Sequence, residues 1–302
     1  MNKFYDINSE IPAYRIQVNR VGVRNLKAPV KIRRKNKEIA LVVTIDCYSD
    51  LGETRKGANI SRITDMIYGT IRNEEPFDGI EFLGQRVLEN LFSAGGESSY
   101  AEIMLSAEYF MNRVLENGLE SVAIYRIYSN VKVRASEPML RKVSVEVNGM
   151  NACPCAMLTT RELVKEKFPD HGEIISMMPA VTHNQRNLVK VEIESHSNVI
   201  EIDDIISVCE SVIGSPQLSK MGKELEGKRI LEAHLKPMFV EDIVREISGK
   251  LAQKYVNLED TARISVSSES FETLHPHNVY AEISTTMADL REKLHGQDAS
   301  KQ

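Results

Sequence analysis

Several things are missing from this chain of 302 residues, and each absence argues against a class of function. No apolar run approaches the roughly 20 residues that a membrane helix needs, so a membrane span is not expected. The opening residues, Met1-Asn2-Lys3-Phe4-Tyr5-Asp6, hold no apolar signal core, which points away from export and toward the cytoplasm. There is no excess of positive charge. The formal net charge is −5, whereas nucleic-acid binding proteins usually carry a basic footprint. Neither a G-x-G-x-x-G run nor a Walker-type loop occurs, so the usual nucleotide folds are disfavoured. A local basic pocket for a phosphorylated small molecule is compatible with all of these absences.

Cysteine is scarce as well, with four residues: Cys47, Cys153, Cys155 and Cys209. An intracellular chain of this size needs no disulfide staples. Cys47 ends the run Leu41-Val42-Val43-Thr44-Ile45-Asp46-Cys47, which reads as a strand, and Cys209 sits in an apolar helical pattern. Both are expected to be buried hydrophobes. Cys153 and Cys155 differ, because they flank Pro154 and are too close for an easy mutual disulfide.

The periodicity predicts an α+β protein. Residues 14–24 and 38–48 read as strands, with Arg33-Arg34-Lys35-Asn36-Lys37 as a charged turn between them. A helix is expected through Ile63, Met66, Ile67 and Ile71, broken at Pro76-Phe77-Asp78-Gly79. A second follows through Ile80, Leu83, Val87, Leu88 and Leu91, and Ala94-Gly95-Gly96 ends it. Strands are expected near 99–110 and 119–132.

The second half repeats this order. Strands are expected at 138–149 and 187–195, helices near 202–213 and 238–254, then strands near 262–269 and 278–285. An amphipathic stretch over 286–295 follows. Because the strands come in adjacent pairs, two similar modules are favoured over one doubly wound sheet. The expected boundaries are 14–135 and 136–290, with residues 291–302 outside both and ending in a disordered polar tail. An extra piece, 156–181, opens as a helix and stops at Pro169-Asp170-His171-Gly172.

Three short clusters carry the chemistry. Cys153-Pro154-Cys155 follows a strand that ends in Asn148-Gly149-Met150, and a thiolate there is a strong ligand for zinc or ferrous iron. Thr182-His183-Asn184-Gln185-Arg186 pairs an imidazole with a guanidinium fork suited to phosphate. Phe271-Glu272-Thr273-Leu274-His275-Pro276-His277 joins the last two strands. Alternation puts His275 and His277 on one face. His275 suits a ligand, and Glu272 and His277 suit proton transfer or orientation of a ligand. Glu241 opens a helix, where an acidic residue complements the dipole or reads the N–H edge of a purine. Glu226 and His234 carry no motif of their own.

These clusters, together with Val21-Gly22-Val23-Arg24-Asn25-Leu26, Lys56-Gly57-Ala58-Asn59-Ile60-Ser61-Arg62 and Phe239-Val240-Glu241-Asp242, resemble the type IB GTP cyclohydrolases. The resemblance runs from about residue 15 to 286. The long piece between Cys155 and His183 looks more like the archaeal branch, which begins methanopterin synthesis, than the compact bacterial folate branch.

The resemblance implies tandem tunnelling-fold modules, antiparallel sheets with helices on one face, and self-association to a homodimer or homotetramer. It implies GTP as substrate, with the imidazole ring opened and C8 leaving as formate. The archaeal branch implies ferrous iron and 7,8-dihydroneopterin 2′,3′-cyclic phosphate as product. Zinc and manganese are the other metals such ligands accept. By the same resemblance Cys153, His183, His275 and Glu226 are metal residues, the surroundings of Glu226 departing from the family's pattern. Cys155 is a catalytic thiol, Glu272 a catalytic-site carboxylate and Glu241 the guanine holder. His234 stands where the bacterial branch often has an aromatic residue.

The chemistry agrees with that assignment. Glu241 can accept two hydrogen bonds from the guanine edge, and adenine lacks that donor pair. Glu272, His277 or Cys155 can shuttle protons. Arg186, Lys56 and Arg62 are the phosphate contacts. Which of the two thiols ligates stays open, as do two other readings: a folate-type enzyme that keeps the triphosphate, and a non-catalytic purine- or pterin-binding module.

Overall fold

The computed structural model describes residues 7–34, 37–73, 76–93, 98–196, 199–214 and 216–299. The turn residues Lys35 and Asn36, the helix stop at 94–96 and the first six residues lie outside these ranges.

Eight strands hydrogen-bond in sequence order into one antiparallel sheet: β1 Val18–Arg34, β2 Lys37–Leu51, β3 Tyr100–Val114, β4 Glu120–Arg134, β5 Leu140–Ala152, β6 Asn184–Ser195, β7 Arg263–Ser270 and β8 Val279–Thr286. The helices are α1 Ile60–Asn73, α2 Ile80–Ser93, α3 Pro154–Lys167, α4 Gly172–Met177, α5 Ile202–Glu210, α6 Lys223–Leu235, α7 Val240–Lys254 and α8 Met287–Ala299. The expected order of strand pair, helices, strand pair is present in each half. Among the described residues no helix is long and apolar enough to cross a membrane.

Alternation explains the strands. In β2, Leu41, Val43, Ile45 and Cys47 are buried while the intervening residues are more exposed. Ile103 and Leu105 on β3, Val143, Val145 and Val147 on β5, and Val189, Val191 and Ile193 on β6 repeat the pattern. Each fully buried aliphatic side chain stabilises the fold by about 1.5–3 kcal/mol before conformational entropy is subtracted.

The chain clusters into two compact units. The first holds Met1–Glu108, Ile127–Val143 and Glu194–His196. There α1 packs on α2 and on β1. Gly84 lets α2 approach the sheet, since a Cβ at that position would lie 2.9 Å from side-chain atoms of Leu105 and Val131. The long β1–β2 hairpin has register shifts between Val18 and Val21 and between Val23 and Leu26. Gly22 sits inside the first segment of this irregular stretch, where a Cβ would fall 1.9 Å from the carbonyl oxygen of Cys47. Asn25 takes a left-handed φ of 56° and donates its N–H to Asp46 Oδ1 at 2.7 Å. The irregularity in the Val21–Leu26 motif thus falls between Val23 and Leu26, around Asn25, and Gly22 allows the close approach of β2 just before it.

The second unit holds Tyr109–Arg126, Ser144–Ile193 and Ser197–Gln302. In it α7 packs on β7 and β8 and against α5 and α8. Arg113 Nη2 binds Glu210 at 2.8 Å and the Tyr125 hydroxyl at 3.1 Å, and Tyr125 donates to Glu210, tying the end of α5 to the sheet. Burial, aided by the Glu210 carboxylate, pushes the Tyr125 phenol upward from its ordinary value.

The helix that opens the piece at 156–181 ends at Lys167, before Pro169, as expected, and a 3-10 turn, Pro169–His171, then leads into α4. Two expectations need correction. Helix α6 has no counterpart in the expected elements, since its polar face outweighs its apolar one: only Leu225 and Ala233 are buried. The tail from 291 on is not disordered as far as Ala299, because α8 continues to that residue.

Candidate active site

Cys153 caps α3. It holds an extended backbone, φ −79° and ψ 118°, and its Sγ accepts from the Ala156 N–H at 3.5 Å. Pro154 takes the first helical position, where its missing N–H costs nothing. The sulfur therefore sits where the helix presents partial positive charge. Cys153 is half-buried and Cys155, one position into the helix, is exposed.

The segment before β6 lies against this cap. The Cys153 N–H donates to the His183 carbonyl at 3.2 Å, and the Thr182 hydroxyl donates to the Cys153 carbonyl at 2.8 Å. The His183 side chain is 12% exposed, and its Nδ1 stands 2.9 Å from Gln185 Oε1 and 3.6 Å from Glu272 Oε2. Gln185 Nε2 donates to Ser270 Oγ at 2.9 Å and to Glu272 Oε1 at 3.3 Å, and Ser270 Oγ donates to Glu272 Oε1 at 2.9 Å. The Phe271 N–H donates to the Arg186 carbonyl at 2.9 Å, fixing β7's end beside β6's start.

The core changes character at this end of the strands. On β6 the buried positions run Gln185, Asn187, Val189, Val191, Ile193, Ser195, and on β7 they run Ile264, Val266, Ser268, Ser270. Aliphatic packing gives way to a buried polar layer under Glu272, with Ser268 Oγ donating to Asn187 Oδ1 at 3.0 Å. Sequence reasoning quoted Gln185 only within the Thr182–Arg186 run, without a role, and missed Ser270 as a site residue. The signal was present: both are polar at positions in phase with the aliphatic core face.

The remaining candidates are placed as follows. His275 and His277 stack with ring centroids 5.2 Å apart and 10° between planes, in the exposed loop between β7 and β8, outside the strands whose alternation was expected to align them. Glu226 is exposed in the first turn of α6, and His234, in the last turn, faces the Ile230 carbonyl with Nδ1 at 2.7 Å. Among the described residues no three His, Cys, Asp or Glu side chains form a metal-holding group. The four expected metal residues, Cys153, His183, His275 and Glu226, are therefore not gathered within this chain: Cys153 and His183 adjoin, but Glu226 points to solvent and His275 pairs with His277.

Glu241 is exposed in the first turn of α7 behind the half-exposed Phe239, and it makes no ion pair among the described residues. Arg186 is exposed on β6. Lys56 and Arg62 belong to the first unit. Lys56 Nζ binds Glu10 at 2.6 Å. Arg62 lines a cavity of about 130 Å³ with Asp50, Arg55 and Asn59.

Residues 4–281 match the family model described as type I GTP cyclohydrolase folE2. The chain belongs to the type I GTP cyclohydrolase family, and is thus an enzyme. It is similar to the GTP cyclohydrolase MptA of Thermoplasma acidophilum, 38% identical over 295 residues that cover 98% of this chain and 99% of that protein. It is also similar to GTP cyclohydrolase MptA 1 of Methanocella arvoryzae, 32% identical over 301 residues and 96% of each chain. These relatives place it in the archaeal branch.

Among solved structures the chain resembles uricase from Arthrobacter globiformis, with a TM-score of 0.54 at 9% identity over 89% of this chain and 93% of that one. Uricase from Bacillus fastidious gives 0.51 at 10% identity over 91% and 96%. At such identity the likeness speaks to the fold alone, which is the tunnelling fold.

Proposed function

We propose that the protein is a metal-dependent GTP cyclohydrolase that opens the guanine imidazole ring, releases C8 as formate and two phosphates as diphosphate, and yields 7,8-dihydroneopterin 2′,3′-cyclic phosphate for methanopterin synthesis. The observation that carries this reading is the meeting of three distant segments: Cys153 at the α3 cap, His183 before β6 and Glu272 after β7.

The residue types suit a divalent transition metal, although the four expected ligands are not gathered within this chain. Cys153 and His183 adjoin through their backbones, and a carboxylate with a 7% exposed side chain lies beside the imidazole. Cys153 and His183 would hold the ion, with His275 and Glu226 as the further donors that the family resemblance implies. Ferrous iron is the proposed ion, and zinc or manganese would suit the same ligands. When bound, such an ion makes water a competent nucleophile near neutral pH.

The chain's own residues do the rest. Glu241 accepts from N1–H and the exocyclic amine of guanine, so adenine would leave its carboxylate unpaired. Arg186 offers its guanidinium to phosphate, with Lys56 and Arg62 as further phosphate contacts. Cys155, Glu272 and His277 carry protons to and from the opening ring. Self-association to a homodimer or homotetramer is part of the proposal, and light scattering reads it directly.

The test is anaerobic incubation with GTP and ferrous iron. Formate should appear, and the product mass should match a cyclic monophosphate. Absence of formate with every divalent metal tried sinks the reading, and a product that keeps three phosphates makes the enzyme folate-type.

A further inference from the structure

We propose that Gln185 is a positioning residue that fixes the tautomer of His183, keeping Nδ1 protonated and Nε2 bare. This rests on the reading of His183 as a metal residue, and it adds a reason why that imidazole is ready to ligate.

The argument follows hydrogen-bond polarity outward from Glu272. Glu272 Oε1 accepts the Ser270 hydroxyl at 2.9 Å, so it is an acceptor. The end of the Gln185 amide that stands 3.3 Å from Glu272 Oε1 must therefore be the NH2 group. The same NH2 reaches Ser270 Oγ at 2.9 Å, and that hydroxyl spends its own proton on Glu272 Oε1, also at 2.9 Å. Two contacts thus fix which way the amide faces. Its oxygen is left pointing at His183 Nδ1, 2.9 Å away. An amide oxygen only accepts as well, so Nδ1 must carry the proton. Glu272 Oε2 lies 3.6 Å from the same nitrogen, beyond hydrogen-bond range, so the amide and not the carboxylate sets the tautomer.

The alternative arrangement is costly. Moving the proton to Nε2 would set the Nδ1 lone pair against the amide oxygen. Turning the amide over would instead set its oxygen against the Glu272 carboxylate. Gln185 is 7% exposed and Ser270 1% exposed, so neither fault would be relieved cheaply by water. A buried amide therefore transmits the acceptor at Glu272 Oε1 to the histidine as a choice of tautomer. Orientation of a ligating imidazole by a second group is the general way such ligands are prepared.

The test uses the full-length protein without metal, labelled with 15N at histidine, at a pH where imidazole is neutral. The His183 signals are assigned by their loss in His183→Asn. In the parent protein Nδ1 should read as protonated and Nε2 as bare. Gln185→Met, similar in volume but without the acceptor, should shift His183 toward the Nε2-protonated form. Gln185→Asn, polar but too short to span the gap, should do the same and serves if the methionine variant fails to fold. Affinity for ferrous iron alone should fall by about 10- to 100-fold in either variant.

An Nδ1-protonated His183 that persists in a folded variant overturns the proposal, and so does unchanged iron affinity. Failure of the functional reading looks different: a parent protein with the expected tautomer that neither binds a divalent ion nor releases formate.

Discussion

The backbone N–H of Cys153 donates to the carbonyl of His183 at 3.2 Å. This one bond links the cap of α3 to the residue that leads into β6, across the 29 residues of the extra α3–α4 piece. The Thr182 hydroxyl, 2.8 Å from the Cys153 carbonyl, makes the link two-sided. The insertion thus leaves and returns at one point, and its geometry puts a thiol and an imidazole on adjacent backbone.

Replacing the sulfur should separate ligand from scaffold. Cys153→Ser keeps a side-chain oxygen able to cap α3, so the helix should stand. It removes the soft donor, so bound iron should be lost and formate release should fall by roughly a hundredfold or more. Metal analysis, circular dichroism and a formate assay on one preparation read all three quantities. Retained iron with normal turnover would move the ligand role to Cys155.

Much of this architecture was legible because alternation is a local property. Val143, Val145 and Val147 announce a strand whatever surrounds them, and the helix of Ile63, Ile67 and Ile71 is equally plain. Helix α6 was hidden because its apolar stripe is thin. The site was legible as residue types but not as partners. His183 and Glu272 stand 89 positions apart, and no periodicity says that they meet through Gln185 and Ser270. A polar residue at a core-facing strand position was the available clue, and a buried amide reads as a packing anomaly until its partners are known. Gly22 was quoted as part of a motif, and the close approach of the Cys47 carbonyl supplies its physical reason.

That approach makes a stability prediction. A Cβ on residue 22 would lie 1.9 Å from a backbone oxygen, which cannot rotate aside as a side chain can. Gly22→Ala must therefore displace the β1–β2 ladder and should cost about 3 kcal/mol. Urea unfolding followed by circular dichroism measures it, and a loss of unfolding free energy below one tenth of that cost would remove the steric account of Gly22.

Glu241 is exposed at the start of α7 and is proposed to hold the guanine edge. Glu241→Gln leaves one acceptor where guanine brings two donors. An unsatisfied donor in a bound complex costs about 1–3 kcal/mol, so kcat/KM for GTP should fall about tenfold to hundredfold. The loss should appear mainly in KM, since the guanine edge is remote from C8. Steady-state kinetics at saturating metal separate the two constants, and a loss confined to kcat would give Glu241 another role.

The two core cysteines predict the response to alkali. Burial pushes the Cys47 thiol up from 9.0 to about 12 and raises that of Cys209, beside the Glu210 carboxylate, further. An unfolded chain releases these protons from about pH 9 upward, while the folded chain keeps them. The unfolded state then gains free energy that the folded state cannot, so stability falls as pH rises from 9 toward 12. Each thiol contributes close to a tenfold rise in the unfolding constant per pH unit across that window. Below pH 9 both states hold their protons and the effect vanishes. Cys47→Ala should flatten the alkaline slope even though it lowers stability at neutral pH. Native thiol labelling should meanwhile modify Cys155 first and Cys153 next, and leave Cys47 and Cys209 untouched until the chain unfolds. A buried thiol labelled as fast as Cys155 would show that this part of the core opens far more readily than its packing implies.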